Sequence, residues 1–346
     1  MRRTSNNDWP RVASRLASAV AVDRLHFAAT DRVADGRSGP RRWAVAFSGG
    51  ADSLALLLLL WAHWPERRAG LVALHFNHRL RGRASAADAA FCKRVCAALG
   101  VTFVSGEWKQ ARKDAGEAEA RAARFEFFGR ELSRRRIKAL WLGHQQDDIA
   151  ETALMRLARG SGTAGLAAPR PVQIMSGGRV HLRPLLTLKK REVVRALTEA
   201  GAVWREDASN ETKDFFRNRI RHEVLPEWIV AAGDRDALAG AALSRELLDE
   251  DDVALEAWLD ELAPLDADGR LDVKALAGKP RAVVRRALYR WLALQKNTGD
   301  LSRQGFALLL AMVEKGASTR FSLGRNGFAV IRKGGLFFEK ARRRRP

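Results

Sequence analysis

The sequence predicts an α/β protein: a doubly wound, mostly parallel sheet, followed by a smaller, mainly helical domain that ends in a short β-meander. Three observations lead there. Between residues 43 and 157, short apolar runs of strand length alternate with helix-length segments, the pattern of a parallel sheet covered on both faces. Past residue 229 the apolar residues fall at helical spacing instead, as at Leu243, Leu247, Leu255, Trp258 and Leu262. Residues 320–323, 328–332 and 336–339 then form three short runs separated by glycine-containing turns, as in an antiparallel meander.

In chain order, 8–34 reads as a helical lead-in with Val12, Leu16, Ala19 and Val20 on one face, and 35–40 as a turn-rich link. Strands are expected at 43–47, 71–76, 101–104 and 139–142, with helices at 54–63, 86–99, 117–135 and 149–157 between and after them. A loop rich in glycine and proline, 159–170, leads to a strand pair at 172–174 and 179–183. A helix at 189–201 follows, with Thr187 as its expected cap. Three regions result: an N-terminal extension 1–40, a catalytic domain 41–228 and a substrate-binding helical domain 229–346, with the boundary near 228–233. There are no internal repeats.

The 346 residues suit two domains better than one, and 47% apolar content with a mean hydropathy of −0.26 suits an ordinary folded core. The net charge of +21, from 61 Lys and Arg against 40 Asp and Glu, favours a polyanionic partner, nucleic acid first. Cys92 and Cys96 are the two cysteines. They exclude a disulfide framework, fit a reducing cytoplasm, and sit four apart as buried apolar residues of a helix. The longest apolar run, 54–62, is far short of a membrane span. Arg11, Arg15 and Asp23 interrupt any signal-peptide core after Arg2 and Arg3, so a cytoplasmic protein with no membrane partner is expected. A homodimer is compatible with the sequence. The closing run 342–345 reads as a solvated basic tail, with phosphate contact as its alternative.

In an open parallel sheet, ligands bind beyond the carboxyl ends of the strands. Three polar clusters follow strands here: Ser48-Gly49-Gly50-Ala51-Asp52-Ser53, His75-Phe76-Asn77-His78-Arg79-Leu80-Arg81, and Gly143-His144-Gln145-Gln146-Asp147-Asp148. In the first, two glycines between strand and helix let backbone approach a ligand, and Ser48, Ser53 and the free N–H groups of the helix start suit phosphate oxygens. Asp52 would repel phosphate unless a cation such as Mg²⁺ lay between them, which makes this a metal-assisted phosphate site. It lacks the Gly-Lys-Ser/Thr of the common P-loop and the three glycines of the dinucleotide fingerprint. The plainer alternative is a tight turn with Asp52 capping the helix. Asp148 and Glu151, three apart at a helix start, share a face. They suit a metal shared with Asp52, a substrate ammonium group, or simple complementation of the helix dipole. His75 and His78 have metal-pair spacing but no third ligand nearby, so loop roles outweigh zinc. The run Arg217-Asn218-Arg219-Ile220-Arg221 suits RNA, nucleotide or a carboxylate, or a solvated helical face.

Taken in order, these segments resemble the N-type ATP pyrophosphatase, or PP-loop, family, and within it the tRNA(Ile)-lysidine synthetases. The resemblance runs from about 43 to 226. Besides the three clusters and the 217–221 run, it includes Glu117-Ala118-Glu119-Ala120-Arg121, Arg159-Gly160-Ser161-Gly162-Thr163-Ala164-Gly165-Leu166, Arg183-Pro184-Leu185 and Asp207-Ala208-Ser209-Asn210. It implies a Rossmann-like PP-loop fold and ATP-dependent attachment of free L-lysine to C2 of the wobble cytidine in tRNA(Ile) with a CAU anticodon. The base would first be adenylated, with pyrophosphate and then AMP released. By position, Ser48, Gly49, Gly50, Ala51, Asp52 and Ser53, with His75 and His144, would hold ATP; Asp52 and Asp148 would hold Mg²⁺; and Asp52, Asp148, Glu151 and Arg219 would carry catalysis. Two departures stand out. Arg79 occupies the place of a glycine in the family's second motif, and the further C-terminal domain of longer members is expected to be missing. The competing readings are a tRNA thiolase of the same ATP-cleaving family, disfavoured by two cysteines on a buried face, and a non-catalytic RNA-binding protein, for which central carboxylates would be costly.

Overall fold

The computed structural model describes residues 8–26, 42–79, 83–108, 116–206, 215–295, 301–324 and 327–341. The expected link at 35–40, the end of the lead-in at 27–34, Leu80 and Arg81, the 207–210 motif and the tail 342–345 lie outside the described residues. The chain divides into two compact units, Met1–Leu247 and Leu248–Pro346. The division falls inside one long helix, Ala237–Leu262, some way after the change of pattern in the sequence at 228–233.

In the first unit, strands β1 (Trp43–Ala46), β2 (Leu71–Asn77), β3 (Thr102–Glu107), β4 (Ala139–Trp141), β5 (Val172–Met175) and β6 (Arg179–Leu182) form one sheet in the order β3-β2-β1-β4-β6-β5. All neighbours pair in parallel except β5, which runs antiparallel along β6 as the sheet edge. This is the doubly wound α/β sheet that the sequence predicts. Alternation assigns its faces. Trp43 and Val45 enter one core with α1 (Trp9–Ala19), α2 (Ala51–His63) and the inner side of α3 (Arg83–Leu99). Ala44, Val72 and Leu74 enter the other with Phe127, Phe128 and Leu132 of α4 (Glu117–Arg135).

Helix α2 explains itself from its sequence. Every residue from Leu54 to Leu60 is buried, because the helix lies between the sheet and α1, so an unbroken apolar run is required rather than a stripe. Burial of each such leucine contributes about 1.5–3 kcal/mol. The helix begins at Ala51 rather than the expected 54, with Gly50 as the cap, so Asp52 and Ser53 lie in its first turn. Likewise α5 runs Gln146–Leu157, one turn earlier than expected, because the Gln145 side chain accepts from Asp147 N and the Asp148 carboxylate accepts from Gln145 N. Helix α6 (Lys190–Ala200) corrects the expected cap: Thr187 lies in a preceding 3₁₀ turn, Pro184–Thr187, and its hydroxyl donates to Arg24 O. The cap is Lys189, whose N–H donates to Glu192 at 2.8 Å. The unit continues through α7 (Phe216–Arg219), a π-helical turn (Ile220–Val224) and α8 (Leu225–Ala231) into α9 (Ala237–Leu262).

The second unit gathers the end of α9, α10 (Arg281–Leu294) and α11 (Arg303–Lys315) around Trp291, Leu288 and Leu309. The meander is present as β8 (Thr319–Ser322), β9 (Gly327–Arg332) and β10 (Gly335–Lys340). A short strand the sequence reading did not anticipate, β7 (Leu271–Asp272), pairs with β10. Ala329, Ile331 and Leu336 point into the core, while Phe328, Val330 and Arg332 alternate outward.

His181 of β6 is 7% exposed, and its ring packs on Phe125. Burial, followed by the nearby Arg183, Arg121 and Arg179, pushes its pKa from 6.5 down to about 4. The unfolded chain therefore takes up a proton that the folded one refuses, and stability present above pH 6.5 is lost as pH falls towards 4. Between pH 7 and pH 5, denaturant unfolding should show the native chain losing about 1–2 kcal/mol more than a His181→Gln variant. Parallel pH profiles would contradict this account of the buried imidazole.

Candidate active site

The strand order reverses between β1 and β4, so the loops leaving their carboxyl ends diverge to opposite faces and open a crevice. The turn after β1 supplies one wall. Gly49 has φ +91°, a conformation that favours glycine, and with Gly50 it ends the four residues, 47–50, that separate β1 from α2. Ser53 organises the turn: its hydroxyl donates to Gly50 O at 3.0 Å, accepts from Ser48 N at 3.2 Å and lies 3.0 Å from Ser48 Oγ. Beyond it, the first turn of α2 presents backbone N–H groups at the positive end of the helix, a ready anion site.

The loop after β4 supplies the other wall, and Gly143 sets the separation. A Cβ there would stand 2.9 Å from Asp52 O and 3.1 Å from Ser53 N, so only glycine lets the two loops come together. Asp52 of α2 then faces α5. Burial raises its pKa, Lys190 opposes that, and Asp148 lies close enough to raise it further.

Lys190 is the site residue that the sequence reading missed. Its Nζ lies 2.8 Å from each Asp52 carboxylate oxygen, and its backbone N–H donates to Asp147 Oδ2 at 2.8 Å. Gln146 N bonds Leu188 O at 2.8 Å and so ties the start of α5 to the segment entering α6. Nothing local marks this lysine, which is 138 residues away from its partner.

Asp148 and Glu151 share a face of α5, as their spacing requires, and both are buried. They meet arginines of the 217–221 run. Arg217 donates to Asp148 Oδ1 at 2.6 Å and to Glu151 Oε2 at 2.7 Å; Arg221 donates to Glu151 at 2.6 and 3.0 Å. Burial alone would lower the pKa of both arginines, but the two carboxylates reverse the sign. Arg219 projects elsewhere: it is exposed, with its guanidinium over the Phe216 ring. The alternation follows from Arg217 and Arg221 lying one helical turn apart, on the face that Arg219 does not share.

The two histidines act through geometry. His75 is buried and donates Nδ1–H to Phe47 O at 2.9 Å, fastening β2 to the start of the glycine turn. Burial lowers its pKa. His144 accepts at Nδ1 from Arg183 Nε at 3.2 Å, and burial with Arg183, Arg217, Arg121 and Arg124 holds it well below the usual imidazole range, hence neutral. Arg183 also donates to Arg170 O and Gln173 Oε1, so the arginine of the Arg183-Pro184-Leu185 motif is a brace between loops. Cys92 and Cys96 are buried, and burial pushes the Cys96 thiol up to about 12 and the Cys92 thiol higher still. Among the described residues no group of three or more His, Cys, Asp or Glu side chains is placed to hold a metal ion.

Comparison with known proteins agrees with this architecture. The chain belongs to the PP-loop family: the PP-loop domain matches residues 22–228. It is similar to the tRNA(Ile)-lysidine synthase of Geobacter sulfurreducens, 37% identical over 280 residues that make up 77% of this chain and 57% of the relative. It is also similar to that of Solibacter usitatus, 36% identical over 283 residues, 79% and 61% of the two chains. The enzyme of the same name from Chlorobaculum tepidum is 41% identical over 194 residues, 53% of this chain and 55% of the relative. The chain thus spans less than two thirds of the length of these relatives. Among solved structures, the U34-tRNA thiolase NcsA from Methanococcus maripaludis, with its [4Fe-4S] cluster, shares the fold with a TM-score of 0.51 at 16% identity, over 69% of this chain and 78% of that one. No helix among the described residues is long and apolar enough to cross a membrane.

Glu151 is 1% exposed and accepts from two guanidinium groups. Replacing it with alanine leaves Arg217 and Arg221 partly buried without their shared anion, and should lower stability by about 2–3 kcal/mol. The measurement is the denaturant midpoint beside that of Glu151→Gln, which keeps the shape and part of the hydrogen bonding. An unshifted midpoint for the alanine variant would show that the quartet contributes nothing to the fold.

Proposed function

We propose that this protein joins the side-chain amine of free lysine to C2 of the wobble cytidine in tRNA(Ile) with a CAU anticodon, using ATP. The observation that carries the reading is the crevice between β1 and β4: an N–H-lined glycine turn on one wall, and three carboxylates within it or at its edge. The similarity to lysidine synthases of several bacteria supports the choice of substrates.

The reaction has two steps. The cytidine O2 attacks the α-phosphorus of ATP and pyrophosphate leaves; the lysine amine then attacks C2, AMP leaves with O2, and the amine sheds its protons. Both steps need charge held in place more than a protein nucleophile. Ser48, Gly49, Gly50, Ala51 and Ser53 bind the phosphates through N–H and hydroxyl groups, and Lys190 adds a positive charge to the same wall. His75 holds the turn against β2, and neutral His144 serves as an acceptor fixed by Arg183. Asp148 and Glu151 receive the cationic lysine, whose ammonium competes with Arg217 and Arg221 for them. The displaced guanidinium is then available to the lysine carboxylate or to phosphate, a role that Arg219, on the other side of its helix, shares less readily.

The residues also fit Mg²⁺. Asp52, with Asp148 nearby, already binds a cation in the form of the Lys190 ammonium group, and magnesium is typically held by one or two carboxylates together with substrate phosphates rather than by an all-protein cage. When bound, it would neutralise phosphate charge. The excess of basic residues suits the RNA partner. A thiolase reading lacks support, since both cysteines are buried thiols unsuited to sulfur relay.

The test is incubation with total transfer RNA, ATP, Mg²⁺ and labelled lysine. Label should enter RNA with the wild-type chain, and Asp52→Ala should reduce the rate by at least about a hundredfold while transfer-RNA binding persists. Failure of the wild type to transfer label would refute the activity. Transfer retained in the variant would refute the role of Asp52.

A further inference from the structure

We propose that the ion pair between Asp88 and Arg205 is a strap that holds the phosphate turn in its binding shape, which makes both positioning residues for the nucleotide. The proposal rests on the ATP reading above and concerns residues outside the 48–53 motif.

Gly49 is enclosed from two sides. Beneath it lies one face of α3: a Cβ on Gly49 would stand 3.0 Å from Cys92 Sγ and 3.3 Å from Phe91 Cδ1. Above it passes the segment that leaves α6 through Gly201. There the Arg205 N–H donates to Gly49 O at 2.9 Å, and Arg205 Cγ would lie 3.5 Å from the same Cβ. The Arg205 carbonyl oxygen stands close to Gly50 as well, 3.8 Å from where its Cβ would be. The turn is therefore shaped by a backbone hydrogen bond from a segment more than 150 residues later in the chain.

A side-chain ion pair anchors that segment, beside the packing of Trp204 on the core. Arg205 Nε donates to Asp88 Oδ1 at 2.7 Å. Asp88 precedes Phe91 and Cys92 by three and four residues on α3, so a single helix face supplies both the floor of the turn and the anchor for its cover. Asp88 is 8% exposed, and a carboxylate that deeply placed is costly unless its charge is matched. Arg205 matches it from the solvent side. The cost of separating them keeps the Arg205 backbone over Gly49, and with it the orientation of the peptide groups that face the phosphates. Neither side chain needs to touch ATP.

The test uses the full chain with Asp88→Asn, Arg205→Gln, the double variant and Arg205→Lys. ATP affinity in the presence of Mg²⁺ is read by calorimetry, KM for ATP and for lysine by label transfer, and folding by thermal unfolding. Each neutralising single variant should weaken ATP binding and raise its KM about tenfold, with KM for lysine little changed; Arg205→Gln, which takes a counter-charge away from the buried Asp88, should also lower the unfolding temperature, and more than Asp88→Asn does. The double variant should be no worse than the worse single, because the pair acts as one unit, and Arg205→Lys should recover most of the affinity. Wild-type ATP affinity in both Asp88→Asn and Arg205→Gln overturns the strap. So does a common rise in both KM values, which would mark a general structural role. If the wild-type chain itself binds no ATP, the nucleotide reading falls and the strap falls with it; unaltered variants beside a binding wild type remove the strap alone.

Discussion

Gly143 brings the loop after β4 against the first peptide groups of α2, at the point where the sheet reverses its strand order. The rest of the site depends on that approach. Any side chain at this position would meet backbone atoms of Asp52 and Ser53, which cannot yield without moving a helix packed on the core through seven consecutive buried residues. The crevice is polar because the loops after β1 and β4 and the first turns of α2 and α5, not strands, line it.

Within that space the charges are arranged in opposed pairs. Asp52 meets Lys190; Asp148 and Glu151 meet Arg217 and Arg221; Asp88 meets Arg205 under the turn. Each carboxylate is sheltered enough that an unmatched charge would be expensive. Each partner comes from a different segment, so folding of the segments and neutralisation of the site are one event. A substrate that carries both signs, such as an amino acid or a magnesium nucleotide, can enter by exchanging partners within such pairs instead of burying a new charge. Burial, followed by the arginines that brace the far side, including Arg183 on His144, keeps the imidazole neutral.

Much of this was legible in the residues. The alternation of short apolar runs and helices announced the doubly wound sheet, and Ser48-Gly49-Gly50-Ala51-Asp52-Ser53 announced a tight glycine turn between strand and helix. Asp148 and Glu151 could be placed on one face from their spacing alone. The starts of α2 and α5 came earlier than apolar periodicity suggested, since polar residues that form caps and ligand contacts belong to the helix without joining its apolar stripe. Thr187 had the chemistry of a cap, but its hydroxyl found the Arg24 carbonyl instead, a partner 163 residues distant.

What the sequence determined by itself is local in origin: the identity of the elements, the presence of a glycine turn, and which side chains share a helix face. These follow from backbone sterics and from periods of two and 3.6 residues, which act over a few positions. The pairing of Lys190 with Asp52, the choice of Arg217 and Arg221 over Arg219 for the acids, and the hold of Arg205 and Asp88 on Gly49 were decided only when the sheet brought distant loops to one edge. Such contacts depend on strand order and on the distance between loops, and those are set by packing of the whole unit rather than by any stretch of chain.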